Sequence, residues 1–154
     1  MQTHQEKYHY TECGLDTVYL LNGFEVTETP YGRGVSIHDV DGLHRAIGLQ
    51  LSEQSAPLSG REFRFIRHEL DLSQKALAVL IGVDEQSIAR WEKDKTKIPA
   101  PAQRLVGAYY RDKVNDEETG LADALERLSA LDAEMHRLMT LARSSEDQWI
   151  VCAA

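Results

Sequence analysis

In the stretch Glu85–Lys93 (EQSIARWEK), Gln86 and Arg90 stand four residues apart, and Ile88 and Trp91 are spaced to share the opposite face of a helix. A helix that buries Ile88 and Trp91 sends Glu85, Gln86, Ala89, Arg90 and Lys93 outward. Glutamine pairs bidentately with adenine and arginine with guanine, so Gln86 and Arg90 suit base reading from a major groove. Glu85 beside them either accepts from a cytosine amine or repels wrong sites by its charge. Lys93, Lys95 and Lys97 follow and supply charge for phosphates. Lys75 and Ser87 complete the set of candidate contacts.

The surrounding elements have to hold that helix out. Arg61–Leu70 places Phe63, Ile66 and Leu70 on one face. Ser73 is positioned to cap a helix over Gln74–Ile81, with Leu77, Leu80 and Ile81 as its apolar members. Gly82 ends it, because glycine takes a left-handed turn at little cost. Val83 is an apolar plug, and Asp84 is expected to cap the next helix. Two helices of about eight residues joined through Gly82-Val83-Asp84 make a helix-turn-helix unit. Pro99 and Pro101 start a further helix, Ala102–Tyr110, whose Leu105, Val106 and Tyr109 close the core.

SQKALAVLIGVDEQSIARWEKDK resembles the Xre/Cro/C1 helix-turn-helix of phage repressors and bacterial regulators, over about residues 60–112. The shared features are Ser73-Gln74, Leu77-Ala78, Gly82-Val83, Ile88 and Trp91-Glu92. Arg67 also matches, seven residues before Gln74, and the resemblance implies a buried ion pair between Arg67 and Glu92. It further implies base reading by Glu85, Gln86 and Arg90, and backbone contact by Gln74 and Lys93. Asp94 departs from the pattern, standing where the family usually has glycine, but aspartate tolerates the left-handed conformation better than most residues.

The flanks have a different character. Thr17–Asn22 and Phe24–Thr29 read as strands joined by a tight turn at Asn22-Gly23, with Val35–His38 as a third. Leu43, Ile47 and Leu51 then give a short helix over Asp41–Leu51 with Asp41 as N-cap, and Ser52–Ser59 reads as a linker. From Leu121, positions a and d of three heptads hold Leu121, Ala124, Leu128, Leu131, Met135, Leu138 and Ala142. That stripe fits a dimerising helix over 117–143 or one packed on its own domain. The tail from Ser144 is expected to fray. The expected architecture is therefore α+β. A small β-meander with one helix (1–57) precedes a five-helix helix-turn-helix domain (58–114), and a long amphipathic helix with its tail (115–154) follows.

A β-rich segment ahead of such a module also resembles MqsA-type antitoxins, which bind zinc through two CxxC pairs. Here Tyr10 stands in the first cysteine's place in Tyr10–Gly14, and no second pair exists, so no metal is expected. His9, Cys13, His38 and His44 are too irregularly spaced for a ligand set. Trp91 and Tyr109-Tyr110 read as core, and Cys13 as a small buried hydrophobe.

The net charge of −8 would by itself argue against a nucleic-acid partner, but it is unevenly spread. Residues 1–57 carry 3 basic and 8 acidic side chains, 58–114 carry 11 and 8, and 115–154 carry 3 and 9. The basic excess is thus confined to the middle third. No apolar run approaches the ~18 residues of a membrane span. The first residues lack the pattern of a secretory signal, and two distant cysteines suggest a reducing cytoplasm. No catalytic triad, paired carboxylates or phosphate loop stands out, so neither an enzyme nor a cofactor is expected. The expectation is a cytoplasmic, homodimeric, sequence-specific repressor of toxin–antitoxin type that binds a palindromic double-stranded operator and has a cognate toxin as partner. Its alternative is an antitoxin that mainly masks a toxin through residues 1–57.

Overall fold

The computed structural model describes residues 7–115, 120–131, 139 and 141–152. Strands β1 (Tyr8–His9) and β2 (Tyr19–Leu20) form one antiparallel pair, and β3 (Phe24–Thr29) and β4 (Gly32–Ile37) form another. β3 and β4 pair from Phe24 opposite Ile37 to Thr29 opposite Gly32, closing on the two residues Pro30-Tyr31. The expected hairpin across Asn22-Gly23 does not form. Gly23 adopts the positive φ (77°) that such a turn needs. However, the carbonyl of Val18 is taken by the Tyr10 N–H at 2.9 Å, and Tyr19 pairs with His9. The segment is two separate two-stranded sheets where a single meander was expected.

Helix α1 (Val40–Glu53) begins one residue earlier than expected and ends two later. Asp39, rather than Asp41, is its N-cap, and its carboxylate accepts from the Gly42 N–H at 3.1 Å. The linker therefore begins at Gln54. Helix α2 (Gly60–Glu69) opens on a capping box, in which Ser59 and Glu62 satisfy each other's backbone N–H groups. Helices α3 (Gln74–Ile81), α4 (Glu85–Glu92) and α5 (Ala100–Asn115) follow. Residues 58–114 thus hold four helices where five were expected, and α1 joins them by crossing α5. At that crossing Gly48 lies so close to the hydroxyl end of Tyr110 that a Cβ would not fit, and a Cβ at Gly107 would press on the Ser52 carbonyl. Phe63, Ile66, Leu77, Ile88, Val106 and Tyr110 are fully buried at the centre, and Leu51 and Leu15 extend the cluster toward the N-terminal segment.

Helix α6 (Leu121–Leu131) packs against α3 and α5. Its Ala122 is buried and donates its N–H to the Asp112 carboxylate at 3.0 Å. A helix continuous to residue 143 is not what the chain forms, because Leu141–Arg143 is strand β5, paired with β6 (Trp149–Val151). The tail expected to fray is the second strand of that hairpin. Its β-prone Trp149-Ile150-Val151 run supplies the pairing, and the Arg143 guanidinium lies 5.8 Å over the Trp149 ring. No helix of the described residues is long and apolar enough to cross a membrane.

Candidate nucleic-acid interface

Ser73 caps α3 by accepting from the Ala76 N–H at 3.0 Å. Gly82 ends the helix at φ 73°, and the Val83 N–H returns to the Ala78 carbonyl at 2.9 Å. Asp84 occupies the N-cap position of α4, but its side chain makes no capping bond. Its backbone carbonyl instead accepts from Ser87 at 2.9 Å. On α4, Ile88 and Trp91 point inward, with Trp91 edge-to-face against Phe63 of α2 at 5.7 Å. Burying side chains of this size stabilises the docking by about 1.5–3 kcal/mol each.

The opposite face is open. Glu85, Gln86 and Arg90 are exposed, Ala89 and Ser87 half-buried. Lys75 on α3 and Lys93, Lys95 and Lys97 beyond α4 are exposed as well. None of these five cations, Arg90 included, makes an ion pair with a described residue. In a chain with more carboxylates than cations, that leaves a group of exposed cations without an ion-pair partner among the described residues, beside the exposed Gln86.

Arg67 of α2 and Glu92 of α4 form a buried, bidentate pair at 2.5 and 3.0 Å. Arg67 also donates to the Leu72 carbonyl at 2.8 Å, so its guanidinium ties α4 to the end of α2. Sequence reasoning missed the third member. The Gln74 amide donates to Glu92 at 2.8 Å, so this half-buried side chain, expected to contact the DNA backbone, also joins the ion pair. The partner lies 18 residues away, and no local spacing announces it.

Asp94 takes the left-handed turn after α4 at φ 55°. The Asp94 and Lys95 N–H groups return to the Trp91 and Arg90 carbonyls, a Schellman closure with aspartate in the glycine position. Its carboxylate then accepts from the Gly60 N–H at 2.7 Å, capping α2 from a neighbouring element. A Cβ at Gly60 would collide with the Trp91 and Glu92 carbonyls, so the two helix ends abut directly. The displaced family glycine was the visible signal for this contact.

The proposed dimer stripe is partly placed. Leu121 is half-buried, Leu128 is 65% exposed and Leu131 ends α6, while Met135 and Leu138 lie outside the described residues. Glu126 of α6 binds Lys113 at 2.8 Å and the Tyr109 hydroxyl at 3.1 Å. Lys113 first, then Tyr109, holds the Glu126 carboxyl below its ordinary range. The histidines go to separate partners: His9 stacks on Tyr19, His38 meets Glu25, and His44 lies between Tyr10 and Glu69. No curated protein and no solved structure matches the chain. Residues 63–102 match a family model described as helix-turn-helix, and the geometry above gives that segment the two short helices and tight turn of such a unit.

Proposed function

We propose that the chain is a sequence-specific transcriptional repressor that binds a palindromic operator as a homodimer and regulates its own operon. The observation that carries this reading is α4 itself, with Gln86 and Arg90 exposed beside lysines that pair with no described residue. One such unit covers few base pairs, so two-fold pairing over two half-sites is the means of gaining specificity. The stripe from Leu121 to Leu138 is assigned to the dimer contact, and the exposure of Leu128 favours it. The protein acts in the cytoplasm and carries out no enzymatic step.

A gel shift against DNA upstream of its own gene tests the reading. Arg90→Ala loses about 1–3 kcal/mol of discrimination at one base pair, roughly 5- to 150-fold. Lys97→Ala weakens all sequences alike and lowers the salt slope by about 1. Wild-type affinity and specificity in Arg90→Ala refute the recognition-helix assignment. Truncation after Asn115 yields a monomer by ultracentrifugation; a persisting dimer moves the interface elsewhere.

A second reading is an antitoxin that masks a toxin through residues 1–57. The acidic excess of that segment, 8 acidic against 3 basic side chains, favours a basic protein partner. Co-purification of a small basic neighbour-gene product supports it, and loss of that product on deleting residues 1–57 assigns the contact.

A further inference from the structure

Between the N-terminal segment and α2 lies a cleft of about 510 Å3, a size usual for small-molecule sites. Neither α3 nor α4 contributes to its walls. Its inner side is built on His44. A carboxylate can only accept, so Nδ1–H of His44 donates to Glu69 at 2.9 Å, and Nε2 accepts from the Tyr10 hydroxyl at 2.8 Å. Burial pushes the Tyr10 hydroxyl up, which keeps it protonated for that bond. The His44 ring also meets buried Phe65 edge-on at 5.5 Å. One chain of contacts thus joins the N-terminal segment, α1 and α2 beneath the cleft.

The charges around it are unevenly satisfied. Glu12 already accepts from the Tyr8 hydroxyl and the Thr11 N–H, and Glu69 is held by His44. Arg61 and Arg64, one helical turn apart on α2, make no ion pair with a described residue. Arg64 has one long bond, to His68 Nε2 at 3.4 Å, which leaves the terminal nitrogens of its fork available. The carboxylates at this cleft are occupied while two guanidinium groups lining it are not.

We propose that this cleft binds a compact anionic small molecule through a carboxylate or phosphate group held by Arg61 and Arg64. The planar arginine fork matches both groups bidentately, and two forks a turn apart select a ligand with several anionic oxygens. Because Cys13 and Gly14 line the same cleft as Arg61 and Arg64, the bound anion sits between the N-terminal segment and α2. Anion binding does not depend on the DNA-binding reading and is measured without DNA.

The experiment is calorimetric titration of the full chain with inorganic phosphate and, separately, citrate, at constant ionic strength set by chloride. One saturable site per chain is expected for at least one of them, and which one responds separates phosphate from carboxylate recognition. Arg61→Ala/Arg64→Ala weakens that binding by about tenfold or more. Arg61→Lys/Arg64→Lys, which keeps the charge but removes the fork, weakens it as well. Lys95→Ala/Lys97→Ala leaves it unchanged. The proposal is overturned if neither anion saturates, or if Lys95→Ala/Lys97→Ala loses binding as much as Arg61→Ala/Arg64→Ala does, which reduces the effect to a general basic surface. It is also overturned if the alanine pair abolishes upstream-DNA binding and leaves anion binding intact, since the arginines then serve DNA.

Discussion

Replacing Glu92 by alanine removes one partner of a pair whose side chains are 9% (Arg67) and 4% (Glu92) exposed. The Arg67 guanidinium loses two charge-assisted bonds, at 2.5 and 3.0 Å, and retains the bond to the Leu72 carbonyl. The Gln74 amide loses its acceptor as well. An uncompensated buried charge of this kind costs about 3–5 kcal/mol. That is a large share of the roughly 5–15 kcal/mol total stability of a domain. With a urea slope near ~2 kcal/mol per molar, the midpoint falls by about 2 M. Far-UV circular dichroism is the appropriate readout, because Trp91 adjoins the mutation and its fluorescence changes locally. Arg67→Met/Glu92→Leu removes both charges and fills similar volume, so its cost is within about 1.5 kcal/mol of zero. Two results refute the reasoning. A loss below about 1 kcal/mol in Glu92→Ala means the pair is effectively solvated. A double variant as unstable as Glu92→Ala means the pair itself, and not the abandoned charge, provides the stability.

Three further outcomes follow from the geometry. Asp71 and Asp94 both hold positive φ at the ends of helices, but only Asp94 caps another helix with its carboxylate. Asp71→Gly therefore raises stability by up to about 1 kcal/mol, while Asp94→Gly gains the same relief and loses about as much in the cap, leaving little net change in thermal melting. An Asp94→Gly protein stabilised as much as Asp71→Gly denies the cap its role. Gly48→Ala drives a methyl into the fully buried Tyr110 ring and costs about 1–3 kcal/mol by urea denaturation; a neutral result denies the close α1–α5 crossing. Glu126, held below its ordinary range by Lys113 and Tyr109, tethers α6 fully at neutral pH and releases it as pH falls through that lowered value. Amide exchange in α6, corrected for intrinsic rates, accelerates on acidification in the wild type. Glu126→Gln, which already lacks the charge, flattens that response.

The helix-turn-helix was legible because each of its decisions is local. The spacing of Ile88 and Trp91 determines which face of α4 is buried, and Ser73 and Gly82 mark the ends of α3 within a turn of the residues they serve. Arg67 and Glu92 are 25 residues apart, and their pairing was reached through family resemblance, since spacing cannot supply it. The strand pairing was illegible for the same reason. Asn22-Gly23 has the right dihedral preference, but the partner of the preceding run is chosen by where Tyr10 and Val18 pack. At the C-terminus the apolar repeat extends through Ala142 at helical spacing, yet that residue pairs with Ile150 across a hairpin. A seven-residue pattern sustained by leucine and alanine does not outweigh strand pairing where β-branched and aromatic residues lie within reach.

The net charge of −8 takes on a specific meaning once the ion pairs are located. Carboxylates are drawn into structural work: Glu92 with Arg67, Glu69 with His44, Glu126 with Lys113, Asp147 with Arg143. The lysines after α4 have no such partner among the described residues, so their positive charge stands out inside an acidic protein. Screening decides how far the acidic flanks reach: at ~0.15 M salt the Debye length is about 8 Å, and at ~0.01 M about 30 Å. For the proposed repressor, close phosphate contacts from Lys93, Lys95 and Lys97 therefore survive at physiological salt while distant flank repulsion fades. At low salt the repulsion returns and opposes the usual rise in non-specific affinity. The ratio of specific to non-specific binding then rests more heavily on Gln86 and Arg90 than it would in a uniformly basic domain.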